Sequence, residues 1–432
     1  MSRSYALRGM LAMVPIGAAA FLSAVALAGA GATASAGFQR GIGVGAMAWA
    51  AIAPGPAGTF VFPPFADADH TLTPGELRTL RRTGFDSIRL AVDPGPFLQF
   101  EGPRRQALDD ILSDRVNEIL AAGLAVIVDF HPSDMHPLYT AAALTEGRDT
   151  PLFRSYLRLI AHTAALLGAY HSENIALEVM NEPPVAPQVW QPMLEAAYAA
   201  ARRAAPALTL VLEGGNEASA QALMQMGTQG FAHDAAVLFA FHFYDPYQFT
   251  HQGASWNAAR YLTDVPYPAR ARPLQDSLDA TAATIAATDL SSAQKLLATA
   301  DAKMRLQDYW WSAFDRGTIG KSFDRIAAWG RAQGLPPQRI LLGEFGARET
   351  GLQFSGARAA ERAQWFRDVR EEAEAHGFGW DVWTYHAIGG FALARAASED
   401  IEPAVAQALG LAPRSRLGAA RQSRDEITAA RP

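Results

Sequence analysis

From about residue 38 onward, short apolar runs alternate with longer stretches whose apolar residues recur at helical spacing. Apolar runs bounded by turn residues predict strands buried on both faces. Their alternation with helices predicts a parallel sheet or barrel. The strand candidates are Ile42–Met47, Ser87–Val92, Leu124–Phe130, Ile175–Met180, Leu208–Glu213, Val237–Phe243, Ile340–Gly343 and Phe378–Tyr385. Between them, Thr73-Pro74-Gly75-Glu76 opens a helix, with Thr as N-cap, Pro in the first turn and Glu three residues on. Leu108, Ile111, Leu112, Val116, Ile119 and Leu120 form one helical stripe. Thr150-Pro151 starts another helix, and Trp365, Phe366, Val369 and Ala373 mark the inward face of a third. Eight strands with intervening helices predict an α/β fold of the (β/α)8 (TIM) barrel type. The stretch Asp245–Gly317 breaks the pattern, with Pro-rich turns, a helical-looking Leu278–Leu306 and no strand signal. It reads as a long insertion between strands six and seven, over the face where such barrels keep their chemistry.

Half of the 432 residues are apolar, enough for one large core. Barrels of this class use such a length as one domain, here expected over residues 37–412. The net charge of −6 and the lack of a basic stripe give no support to nucleic acid as a partner. Without cysteine, disulfides and thiolate metal sites are excluded. The N-terminus reads as a secretory signal over residues 1–36. Arg3 and Arg8 supply the positive region, Met10 to Ala30 is apolar, and Ala34-Ser-Ala36 offers a small-residue cleavage site. An uncleaved anchor is the alternative reading of that segment. The expected destination is secreted or periplasmic, with no membrane contact after cleavage. The last residues, 413–432, are charged and small and are expected to be a disordered tail.

The chemistry sits at strand ends. Ile175-Ala-Leu-Glu-Val-Met-Asn181-Glu182-Pro183 and Ile340-Leu-Leu-Gly-Glu344-Phe-Gly-Ala347 are apolar runs that each close on a glutamate. A carboxylate at the C-terminal end of a barrel strand lies on the catalytic face. Two such carboxylates are what glycosidic bond hydrolysis needs, and one of them must keep its proton near neutrality. Arg89, Asp129, His131, Glu213, His242, Tyr244, Trp383 and Tyr385 close other predicted strands, so polar and aromatic groups converge on the same face. Sugar clefts also use aromatic platforms, and nine Trp and eleven Tyr are available.

With Asn181-Glu182-Pro183 after strand four, His242-x-Tyr244 after strand six, Gly343-Glu344-Phe345-Gly346 after strand seven and Trp383 at strand eight, the chain resembles glycoside hydrolase family 5. This is the cellulase A family of clan A. The stretch His242–Gly253 is similar to a bacterial, cellulase-like branch of it. The resemblance covers roughly residues 38–410. It implies a retaining (β/α)8 enzyme in which Glu182 is the acid/base and Glu344 the nucleophile. It also implies that Asn181 binds the sugar 2-hydroxyl, that Arg89 and Tyr244 hold Glu344 ionised, that His131 and His242 line the −1 subsite, and that Trp383 is its platform. Glu213 and Asp129 read as structural, and Trp310 and Trp311 as either packing core or sugar platform.

Other spellings carry less. Gly41-Ile-Gly43-Val-Gly-Ala46 matches a dinucleotide fingerprint but lacks the preceding strand. His131, Asp134 and His136 could ligate a metal, though their spacing fits no helical metal motif. Ser133 and Ser219 lie in no Gly-x-Ser-x-Gly elbow. The expected function is a monomeric, cofactor-free and metal-free endo-β-glycanase that cleaves β-1,4-glucan by double displacement. The rivals are another β-glycan (mannan, mixed-linkage or β-1,3-glucan, the cell's own exopolysaccharide) and a non-catalytic polysaccharide-binding or export-associated protein.

Overall fold

The computed structural model describes residues 37–411, apart from 56–57, 68–69, 351–354, 387–388 and 395–399. The expected signal segment and C-terminal tail lie outside the described residues. Eight parallel strands close into one barrel in sequence order: β1 Arg40–Met47, β2 Ser87–Val92, β3 Ala125–Phe130, β4 Ile175–Glu178, β5 Thr209–Glu213, β6 Val237–His242, β7 Ile340–Phe345 and β8 Gly379–Val382. The expected strands are all present, with ends shifted by a few residues. Strands β4 and β8 are shorter than their apolar runs, because the chain bends away to form the site.

The helix signals have physical counterparts. Thr73 caps Pro74–Thr83 with the full reciprocal box: its side chain accepts from the Glu76 N–H, and Glu76 accepts from the Thr73 N–H. Thr150 caps Pro151–Gly168 with the one-way bond alone, its side chain accepting from the Phe153 N–H. Trp365, Phe366, Val369 and Ala373 are buried on the inward face of Ala359–Ala375, as their spacing predicts. Gly41-Ile-Gly43-Val-Gly-Ala46 is strand β1 itself. A Cβ on Gly43 would lie 2.4 Å from Trp383 Cε3, so the glycine clears space for that indole.

The 245–317 stretch contains two main helices, Leu274–Ala286 and Ser292–Ser312. Tyr267 donates to Asp368 on Ala359–Ala375 at 2.8 Å, which ties the stretch to the barrel, and Tyr309 donates to the Pro266 carbonyl at 2.6 Å within the stretch. Its first turns bring Tyr247, His251 and Trp256 to the cleft. Trp310 packs under Arg270, with the guanidinium 4.7 Å from the ring, whereas Trp311 is 68% exposed; neither lines that cleft. Among the described residues no helix is long and apolar enough to cross a membrane.

Candidate active site

The barrel brings all eight expected residues together, seven from strand ends and the turns beyond them; Arg89, expected to close β2, lies within it. Arg89, inside β2 and fully buried, is the hub. Its guanidinium grips Glu178 with two hydrogen bonds, at 2.8 and 2.7 Å, donates to Glu344 Oε1 at 2.5 Å and to Asn181 Oδ1 at 2.8 Å, and lies 3.1 Å from Asp129. One cation thus offsets three carboxylates that would be costly to bury unpaired. Tyr244 donates to the other Glu344 oxygen at 2.8 Å. Burial alone would raise the Glu344 pKa, but His242, Arg89 and His131, with the Tyr244 hydroxyl, hold it down at about 2. Glu344 is therefore an ionised, oriented carboxylate throughout the neutral range.

Glu182 sits four residues past β4, with φ of +43°. That region is uncommon for a residue with a side chain, and it persists because the segment is fastened on both sides. Asn181 N–H donates to the Phe130 carbonyl at 2.8 Å, and Glu182 N–H donates to Glu213 Oε2 at 2.8 Å. The Tyr156 hydroxyl holds the Val179 carbonyl at 2.6 Å. The Glu182 side chain is 34% exposed to the cleft, against 6% for Glu344. Glu182 Oε1 lies 2.8 Å from His242 Nδ1. A carboxylate oxygen of Glu182 and one of Glu344 are within 4.8 Å of each other.

His131 is bonded to Asp129 at 2.9 Å and stacks on Trp383 with centroids 5.5 Å apart and planes 6° apart. Asp129 raises the His131 pKa against the effect of burial. His136 turns away onto the Gly58 carbonyl, so the His131, Asp134 and His136 metal reading gains no geometry. Among the described residues two groups could bring three ligand atoms within 4.8 Å, Glu178–Glu213–His242 and Glu182–His242–Glu344. Both consist of side chains already paired within the site.

Glu213 and Asp129, read from sequence as structural, belong to the site's scaffold: each orients a cleft histidine. Glu178, Trp49, Glu217, Tyr247 and Trp256 escaped the sequence reading. Glu178 left a signal, a charge inside the apolar run of β4. The others sit outside regular elements (Trp49, Trp256) or in four-residue helical turns (Glu217, Tyr247), too short to show a period. All but Glu178 line a cleft of about 830 Å³ that also holds Glu182, His242, Tyr244, Glu344 and Trp383.

The comparisons agree with this geometry. The family model for cellulase, glycosyl hydrolase family 5, matches residues 75–387. The chain belongs to glycosyl hydrolase family 5. Among relatives, cellodextrinase A of Ruminococcus flavefaciens is 22% identical over 44% of this chain and 56% of its own length. Endoglucanase C of Acetivibrio thermocellus is 26% identical over 48% of this chain and 61% of its own. The match thus spans little more than half the length of these relatives. A solved endoglucanase superposes with a TM-score of 0.62 at 20% identity, covering 87% of this chain and 98% of that one, and shares the barrel fold.

Proposed function

We propose that this family 5 protein is an exported, retaining endo-β-glycanase that hydrolyses β-1,4-glucan. The observation that carries the reading is the Glu182–Glu344 pair. Their oxygens lie within 4.8 Å, and Glu344 is held ionised while Glu182 faces the cleft. Retaining glycosidases hold their carboxyl groups roughly 5–5.5 Å apart, whereas inverting ones need about 6.5–9.5 Å to admit a water.

In this mechanism Glu344 attacks the anomeric carbon as the glycosidic C–O bond breaks, and Glu182 protonates the departing oxygen. Water then attacks the glycosyl ester; Glu182 takes its proton and the Glu344 carboxylate leaves. Arg89 and Tyr244 keep Glu344 anionic and fix its oxygens. Asn181, whose Oδ1 is held by Arg89, turns its amide nitrogen toward the 2-hydroxyl. Trp383 is the platform beneath the −1 sugar.

The described residues lining the cleft include Asp134, Glu182, Glu217, Asp245 and Glu344 but no Lys or Arg. That field favours neutral glycans over anionic ones. Arg3 and Arg8, the apolar Met10 to Ala30 and Ala34-Ser-Ala36 support export. Other neutral β-glycans remain the rival substrates, because the residues around the anomeric carbon would serve them equally. Reducing-sugar release from hydroxyethylcellulose, β-mannan, lichenan and laminarin, all uncharged, tests the proposal. Fastest release from hydroxyethylcellulose, an uncharged β-1,4-glucan, is expected. Activity confined to mannan or laminarin would replace the substrate, and inactivity on all four would overturn the enzymatic reading.

A further inference from the structure

The side chain that the sequence reading set aside, Glu213, makes two contacts that converge on one neighbour. Its Oε2 accepts the backbone N–H of Glu182 at 2.8 Å. Its Oε1 lies 2.7 Å from His242 Nε2. The other ring nitrogen, Nδ1, is 2.8 Å from Glu182 Oε1. Glu213 therefore holds Glu182 at both ends, by the backbone directly and by the side chain through the imidazole. Trp190 donates to the Glu213 carbonyl at 2.9 Å and fixes the end of β5.

Water has little access to this row. Glu213 is 1% exposed and His242 5%. The Oε1–Nε2 contact is bent away from the ideal N–H line, and among the described residues neither atom makes a hydrogen bond elsewhere. Each has the other as its polar neighbour. Gly343 helps place the ring, since a Cβ there would lie 3.2 Å from His242 Nε2.

We propose that Glu213 is a positioning residue of the reaction, completing with His242 a two-proton relay that holds and restores the proton of Glu182. The inference rests on the retaining reading above. Three groups make two contacts, Glu213–His242 and His242–Glu182, and each contact needs one proton between its two heavy atoms. Two protons satisfy the row. When Glu182 gives one to the leaving oxygen, one proton remains for two contacts, and one contact becomes lone pair against lone pair. Glu182 is thereby driven to take a proton from the water that attacks the ester. The relay ends the cycle with the proton count it began with.

The groups facing the row act together. Glu344 stands 3.7 Å from His242 Nδ1, and Glu178 on β4 and Arg89 on β2 also face Glu213. Burial lowers the His242 pKa, but Glu213 and Glu344 raise it well above the ordinary value. Burial pushes Glu213 itself up to about 7, opposed by His242. Glu213 and His242 titrate as a coupled pair, and the Glu213 charge strengthens the hold of the row on its two protons.

Glu213→Gln removes that charge at constant size. Folded variant should lose about tenfold or more in kcat/KM on cello-oligosaccharides, where protonation of the leaving group matters. The alkaline limb of its pH profile should move to lower pH by about one unit, as expected when a nearby anion is lost. The burst on a dinitrophenyl cellobioside, which needs little protonation, should fall far less. Glu213→Asp should keep the limb in place. Equal losses on both substrates with an unmoved limb would reduce Glu213 to a structural residue. If Glu213→Gln does not fold, 15N shifts of His242 in the wild-type protein decide. Neither ring nitrogen should titrate near the ordinary midpoint of about 6.5, and a simple titration there would overturn the relay. A wild-type protein inactive on every glycoside would sink the glycanase reading instead, and the 15N measurement would still judge the relay.

Discussion

Tyr244 donates its hydroxyl to Glu344 Oε2 at 2.8 Å, on the oxygen opposite the one that Arg89 holds. Burial would push this carboxyl up, yet it is held at about 2, below its ordinary 4.5. A hydrogen bond to the charged form lowers a carboxyl pKa, so removing it must raise that pKa.

Tyr244→Phe should accordingly shift the acid limb of kcat/KM upward. A hydrogen bond to a charged group contributes about 1.5–3 kcal/mol, which corresponds to about one to two pH units. Short assays between pH 2 and 6 on folded protein would measure it. An unmoved limb would mean that Tyr244 does not tune Glu344.

Glu344→Gln should remove nearly all turnover with the fold intact, because an amide cannot attack the anomeric carbon. Residual activity above a few per cent in purified, folded variant would remove Glu344 from the nucleophile's role.

Glu182→Ala should cripple hydrolysis of natural glycans far more than of aryl glycosides with good leaving groups, which need little protonation. Azide should then speed breakdown of the glycosyl ester by replacing the activated water. The same loss on both substrates and no azide effect would contradict the acid/base role.

Gly43→Ala places a methyl group 2.4 Å from the Trp383 ring position, so the platform must tilt. The expected result is a raised KM with a modest loss of stability, read by oligosaccharide kinetics and thermal melting. An unchanged KM would separate Trp383 from sugar binding.

Arg89→Met should destabilise the whole barrel by about 3–5 kcal/mol, because Glu178, Asp129 and Glu344 would lose the cation that offsets their burial. Chemical denaturation measures this. A variant as stable as wild type would show that these carboxyls take up protons at little cost.

Most of this arrangement was legible in the chain. The eight apolar runs mark the strands, because a strand covered on both faces is mostly apolar, its few charges being paired in the site. The residues that close those runs mark the catalytic face, because barrel geometry points every strand end the same way. The placement of Glu213 against the site was not legible, for an identifiable reason. A carboxylate at a strand end looks alike whether it faces solvent or an imidazole, and its partner His242 lies on the neighbouring strand, far along the sequence. Trp49 and Trp256 sit outside the helices and strands, and Glu217 and Tyr247 in four-residue helical turns, all too short to show a period that announces which way a side chain turns.

The stereochemistry of hydrolysis tests the central claim most directly. An oxygen of Glu182 and one of Glu344 lie within 4.8 Å, which supports the short carboxyl spacing of a retaining enzyme and the proposed Glu344 glycosyl ester. Proton NMR of the earliest product from a soluble β-glucan should show the β-anomer first, with the α-anomer rising only as mutarotation proceeds. Initial release of the α-anomer would contradict the double-displacement account.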